Sequence, residues 1–248
     1  MELYFIRHAQ SENNLLWTET GSAVGRKADP SITDIGHQQA QHLAQFLAQP
    51  VESTDRAGSD FQNRQGMGLT HLYCSLMVRT MQTGIYIARA CQLPLVALPD
   101  LHEVSGLYLE DEATGERMSV PGPTRTEFLA QFPDLILPDE LGEAGWWSRP
   151  PEPRDETMIR AQAVLAYLRE KHGDTEDRVA IISHGGFYQR FMTAVLDLPP
   201  EHLHLDSTHR YRFAINNVAI TRIVLGDDFT GLAYQNRVDF LPPELVTP

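Results

Sequence analysis

The chain has 248 residues, 42% of them hydrophobic and 21% charged, the composition of an ordinary soluble globular protein able to bury one sizeable α/β core. Against 33 Asp and Glu stand 20 Lys and Arg, a formal net charge of −13, which repels nucleic acid phosphates and anionic lipid at long range and excludes both as natural partners. A small anionic ligand fits only where a few arginines make a positive pocket inside that negative field.

Residues 2–7, "ELYFIR", form a continuous apolar run that predicts a strand buried on both faces. "SITDIGHQQAQHLAQFLAQ" places Ile35, Ala40, Leu43 and Leu47 at helical spacing, with Thr33 or Asp34 as cap. The polar, glycine-containing stretch 50–68 predicts a surface insertion, since strand and helix alternation resumes after it. "LTHLYCS" (69–75) predicts a second strand and "MVRTMQTGIYIARACQ" its helix, with Met77, Met81, Ile85 and Ala88 on one face. "LPLVALP" predicts a third strand. Residues 105–123 predict an excursion over the surface, "PTRTEFLAQF" a short helix, and "GEAGWWSRPPEPRD" a connector. "DETMIRAQAVLAYLREKHG" predicts a long helix ending at Gly173 with Ile159, Ala163, Ala166 and Tyr167 on its apolar face. "RVAIISHGG" predicts a fourth buried strand feeding the helix "FYQRFMTAVLDL", and "AITRIVL" and "GLAYQNRV" alternate like edge strands. No internal repeat occurs. The expectation is one domain over 1–248, with insertions near 50–68 and 105–153.

Two cysteines, Cys74 and Cys91, lie in apolar segments and offer neither a disulfide framework nor zinc spacing, which fits a reducing cytoplasm. "MELYFIRHAQ" lacks the basic region and apolar length of a signal peptide, and no window approaches a membrane span.

The alternation predicts a three-layer α/β/α sandwich with a mainly parallel central sheet. In such sheets ligands bind beyond the carboxyl ends of the strands, near helix N-termini that favour anions. Arg7 and His8 follow the first strand, Arg79 opens the helix after the second, Glu103 follows the third, and His184, Gly185 and Gly186 follow the fourth. Two arginines, two histidines and a carboxylate therefore converge on one rim. The glycine pair lets backbone approach a ligand closely.

These residues carry a resemblance. "FIRHAQSENN" resembles the signature of the histidine phosphatase superfamily, the phosphoglycerate mutase-like fold, in which Arg-His-Gly precedes Ser or Thr, Glu and Asn. "DPSITDIGHQQAQ", "YCSLMVRTMQT", "LHEVSG" and "IISHGG" are similar to further segments of that family, in its order, over residues 3 to about 190. Ala9 stands where glycine is usual; a small residue is kept.

The resemblance implies that His8 is the nucleophile, forming a phosphohistidine. It implies that Arg7, Arg79 and His184, with Asn14 as a neutral donor and Gly185 beside them, surround the phosphoryl oxygens. Glu103 would protonate the leaving alkoxide and then take a proton from water. No metal or other cofactor is implied, because arginines replace the cation.

The family holds phosphatases, mutases and members with regulatory or binding roles. After Glu103 the chain is acidic at first, with Arg117 and Arg125 as the only cations before Leu137, which favours hydrolysis of a small phosphorylated substrate over a mutase. A decayed phosphate- or protein-binding module is the reading of another class. The sequence is silent on oligomeric state. "GSAVGRKAD" lacks the ending of a phosphate loop and predicts a flexible loop. His202, His204 and His209 in "HLHLDSTH" predict ordinary surface residues rather than a metal site. "GWWSR" predicts packing or pocket wall.

Overall fold

A computed structural model describes residues 1–50, 60–64, 66–111, 113–199, 212–226 and 228–248, with the backbone alone for Arg154. The three histidines of "HLHLDSTH" and residues 51–59 of the polar stretch lie outside the described residues.

The strands are β1 (Glu2–Arg7), β2 (His71–Cys74), β3 (Leu95–Ala97), β4 (Tyr108–Glu110), β5 (Arg117–Ser119), β6 (Leu135–Ile136), β7 (Arg178–Ser183), β8 (Ile220–Leu225) and β9 (Thr230–Arg237). The helices are α1 (Glu12–Thr20), α2 (Asp34–Leu47), α3 (Val78–Cys91), α4 (Arg125–Gln131), α5 (Arg154–His172) and α6 (Gly185–Val195). Seven strands make one sheet in the order β6-β3-β2-β7-β1-β8-β9. From β6 to β1 neighbours run parallel, and β8 and β9 add antiparallel strands at the other edge.

The apolar runs are continuous because both faces of the sheet are covered. Along β1 the side chains alternate: Tyr4 and Ile6 join a core with Leu43, Leu47, Met81 and Ile87 from α2 and α3, while Leu3 and Phe5 join one with Leu168, Phe187 and Phe191 from α5 and α6. The same alternation divides Ala180 and Ile182 from Val179 and Ile181 on β7. This is a three-layer α/β/α arrangement with a mainly parallel sheet.

One helix stands where none was predicted, and three local expectations differ from the structure. Helix α1 has no buried residue, so no periodic signal announces it; Ser11 and Asn14 hold its start through a reciprocal capping box. Helix α5 buries Ala161, Val164 and Leu168, whereas Ile159 is 65% exposed and Tyr167 39% exposed. The true stripe is disguised because Thr157, Arg160 and His172 also lie on it, each with a buried polar partner. Of the segment 50–68, Asn63 and Met67 are buried, and Asn63 bonds Tyr4 and Tyr234, so this part packs on the sheet. Finally, β8 is an inner strand between β1 and β9.

Candidate active site

Strand register assembles the rim. β1 and β7 pair in parallel with Arg7 opposite Ser183, so the residues that follow, His8 and His184, leave the sheet side by side with ring centroids 5.2 Å apart. On the far side of β7, β2 delivers Ser75 just past its end, and Arg79 is the second residue of α3.

His8 has its ring hydrogen assigned by its neighbours. Its Nδ1 lies 2.7 Å from the Ala9 carbonyl, which can only accept, and its Nε2 lies 3.2 Å from Arg79 Nε, which can only donate. The hydrogen is therefore on Nδ1 and the lone pair on Nε2. Burial, reinforced by Arg79 and Arg7, holds the His8 pKa well below the usual histidine range and keeps the ring neutral.

Around that lone pair stand donors short of acceptors. Arg7 donates through Nη1 to the Ile215 carbonyl at 2.7 Å, while its buried Nε has no partner among the described residues. Burial lowers its pKa to about 10, which leaves it charged at neutral pH. His184 Nε2 lies 2.8 Å from Ser75 Oγ, and its buried Nδ1 is without a partner among the described residues. Burial and then Arg79 hold the His184 pKa well below its usual range. When Ser75 donates to Nε2, Nδ1 carries the ring hydrogen and is a second donor in want of an acceptor. Arg79 sits 3.6 Å from Asp29, whose pKa burial raises to about 6 against the pull of Arg79 and the Val78 N–H.

Glu103 is held by the start of α6. Its Oε1 accepts from the N–H groups of Val104 and Phe187, both at 2.8 Å, and its Oε2 accepts from Gly186 N–H at 3.0 Å. Two of the first N–H groups of this helix thus position the carboxylate, where the strand-end argument expected them to serve the anion. Gly185 packs against Arg7: a Cβ there would lie 3.4 Å from Nε. Asn14 Oδ1 accepts from Ser11 N–H, Ser11 Oγ and Asn217 Nδ2, which turns the amide NH2 away from these donors.

Arg7, His8, Asn14, Arg79, Glu103 and Gly185 line one cleft of about 740 Å³; fully buried His184 stands behind it. An adjoining chamber of about 600 Å³ shares Arg26, Arg79 and Glu103 with it. There the guanidinium groups of Arg26 and Arg117 lie 4.1 and 4.7 Å from the Tyr108 ring centroid. Arg125 is elsewhere, donating to the carbonyls of Pro138 and Leu141. The tryptophans of "GWWSR" line neither cavity; Trp146 and Trp147 pack on His102, whose Nε2 accepts from Arg149.

Several site residues carry no pattern in the sequence. Asn217, fully buried, donates to the His8 carbonyl at 3.0 Å and to Asn14 at 3.2 Å. Thr83 Oγ1 accepts from Ala9 N–H. The available signals were a polar pair, Asn216-Asn217, ahead of an apolar strand, and a polar residue one helical turn after Arg79.

Comparison with known proteins follows this geometry. The profile of the histidine phosphatase superfamily (branch 1) matches residues 3–237. The probable phosphoglycerate mutase GpmB of Enterobacter sp. (strain 638) is 25% identical over 224 residues, covering 90% of this chain and 84% of its own. The GpmB of Proteus mirabilis (strain HI4320) is 24% identical over 225 residues, with the same coverage. Among solved structures, a putative alpha-ribazole-5'-P phosphatase from Escherichia coli superposes with a TM-score of 0.61 at 17% identity, covering 96% of each chain. Phosphoserine phosphatase from Entamoeba histolytica, in complex with 3-phosphoglyceric acid, gives 0.59 at 19% identity, covering 97% of this chain and 99% of its own. With the family profile spanning nearly the whole length and its motifs gathered on one rim, this chain belongs to the histidine phosphatase superfamily.

Proposed function

We propose that this protein is a metal-independent phosphomonoesterase that hydrolyses small phosphorylated molecules through a phosphohistidine on His8. The observation that carries the reading is the neutral His8 ring, its Nε2 lone pair facing a donor, beside two buried nitrogens, on Arg7 and His184, that have no partner among the described residues. A phosphoryl group accepts from those nitrogens and draws the Arg79 N–H off Nε2, which uncovers the nucleophile. Nε2 then bonds to phosphorus as the ester P–O bond breaks, and the Glu103 carboxyl gives its proton to the leaving alkoxide. In the second step Glu103 takes a proton from water, the water oxygen bonds to phosphorus, and the P–N bond breaks to release phosphate. Arg7, Arg79, His184 and Asn14 stabilise charge on the equatorial oxygens throughout. Gly185 lines the cleft beside Arg7.

A phosphoglycerate mutase-type transfer is the second reading, favoured by the names of the GpmB relatives. Hydrolysis is preferred because Arg125, one of the two arginines between Glu103 and Leu137, is committed to backbone carbonyls away from the cleft. The other, Arg117, pairs with Glu110.

The test is p-nitrophenyl phosphate hydrolysis in excess EDTA by the wild type and His8→Ala, followed by 3-phosphoglycerate as substrate. Turnover by the wild type alone, with phosphate released from 3-phosphoglycerate, is the expected result. Formation of 2-phosphoglycerate faster than phosphate release would favour the mutase. Tight phosphate binding without turnover of either compound would favour a binding module.

A further inference from the structure

Three side chains that the proposed reaction does not use meet at the opposite end of the sheet. His71 is the first residue of β2, His172 the last of α5, and Asp177 immediately precedes β7. Parallel pairing of His71 with Val179 brings the starts of both strands together, and the return from α5 into β7 supplies the other two groups. His172 Nδ1 is 2.8 Å from Asp177 Oδ2, and His71 Nδ1 is 3.7 Å from Oδ1. The imidazole centroids are 4.5 Å apart. One ligand atom from each residue lies within 4.8 Å of the other two. A tetrahedral ion with bonds of about 2.0–2.2 Å spaces its ligand atoms roughly 3.3–3.6 Å apart, so the groups need close by only about an ångström.

The surroundings suit ligation. Tyr73 hydroxyl lies 3.0 Å from His172 Nε2, so with Nδ1 on a metal the Nε2–H donates to Tyr73, the outer partner that fixes tautomer and ring orientation. Asp177 is anchored through its own backbone: its N–H donates to Thr175 Oγ1 and its carbonyl accepts from Glu2 N–H. Thr70 Oγ1 lies 2.9 Å from His71 Nδ1 and 3.3 Å from the Arg178 carbonyl, so its hydrogen can turn to that carbonyl when the imidazole binds an ion. The His71 and Asp177 side chains are 39% and 24% exposed, which opens a path from solvent, while His172 is 2% exposed.

We propose that His71, His172 and Asp177, with a water molecule as fourth ligand, form a site for a divalent transition metal ion of the zinc class, tying the end of α5 to the starts of β2 and β7. Two nitrogen donors with one carboxylate suit zinc, cobalt or nickel and disfavour magnesium and calcium, which take oxygen ligands. The six residues of β7, roughly 20 Å of strand, separate the site from the catalytic rim. The ion therefore serves the fold and leaves phosphoryl transfer to His8 and its neighbours.

The experiment is a titration of the chelator-stripped full chain with zinc chloride, read by calorimetry and by Tm, on the wild type, His71→Asn, Asp177→Asn and His8→Ala. One equivalent bound by wild type and His8→Ala, with a raised Tm, and affinity lowered by at least about tenfold in the other two variants, supports the site. His71→Asn and Asp177→Asn should keep the metal-free Tm within a few degrees and hydrolyse p-nitrophenyl phosphate in EDTA like the wild type, which separates this result from the fate of the phosphatase reading. If either variant folds poorly, the visible spectrum of the cobalt-loaded wild type, with bands of a four-coordinate nitrogen and oxygen site, decides. Absence of binding, or binding lost in His8→Ala and kept in the other two, overturns the proposal.

Discussion

The geometry of His8, the proposed nucleophile, depends on a residue that does not line the cleft. Asn217 donates to the His8 carbonyl and to Asn14 Oδ1, and accepts from Thr247 Oγ1 at 2.9 Å. It therefore ties the backbone of His8, the Asn14 side chain and the C-terminal segment into one unit. Asn217→Ala leaves the His8 carbonyl, among the described residues, with the Val218 N–H at 3.4 Å as its donor and frees the Asn14 amide to rotate. We expect kcat to fall about 10- to 100-fold, because a misplacement of about 1 Å has that effect on an oriented attack. The buried polar loss should also cost about 1–3 kcal/mol of stability. Steady-state kinetics on folded variant check the first part; an unchanged kcat would remove Asn217 from the positioning role. Arg7, His8 and His184 were legible as candidates because each stands where an apolar strand gives way to a polar side chain, and Arg79 and Glu103 through the short motifs around them. Asn217, Ser75 and Asp29 were not, since their roles come from partners distant in sequence.

At the scale of elements, the start of α6 does more than follow β7. Its N–H groups hold Glu103, and Gly186 is the residue that lets the carboxylate come so near. A Cβ there would lie 2.5 Å from Glu103 Oε1 and 2.4 Å from Val104 Cγ2. Gly186→Ala gains helix propensity, up to about 1 kcal/mol, yet must push the carboxylate away. Turnover of alkyl phosphates should drop about 10²–10⁴-fold, the contribution of a positioned acid. p-Nitrophenyl phosphate, whose leaving group needs no proton, should suffer less. An equal loss for both substrates would place the damage elsewhere. The elements that were hard to foresee share one cause: α1 has no apolar face, and the buried stripe of α5 carries polar residues satisfied by other segments, as Arg160 is by Glu152 at 2.7 Å. Periodicity reports burial only where buried residues are apolar.

For the whole molecule, buried neutral histidines set the response to acid. His8, His102 and His184 all have folded pKa values below 6.5, that of His102 lowered to about 3, with burial the largest cause in each. The unfolded chain binds protons first as pH falls, so their stabilisation is complete above pH 6.5 and is lost on the way down. For His102 the loss between pH 6.5 and 5 is about 2 kcal/mol. Asp29 acts in the opposite sense: its folded pKa near 6 exceeds the model-peptide value of 3.8, so it takes up a proton first in the folded state and offsets part of the loss. Urea midpoints at pH 7 and pH 5 should show a clear fall in the wild type and a smaller one in His102→Asn. A pH-independent midpoint would mean that these rings are accessible to protons in the folded state.

Strands β1, β2, β3, β7, β8 and β9, helices α2 to α6, the mainly parallel sheet and the family followed from sequence alone, because apolar runs, helical spacing and five short motifs are local and survive without knowledge of neighbours. Only the tertiary structure decided which nitrogen of His8 bears hydrogen, what holds Glu103, which face α5 buries and that His71, His172 and Asp177 meet. Each of these depends on strand register and on polar partners far apart in the chain, and a hydrogen bond between distant segments leaves no periodic trace in either of them.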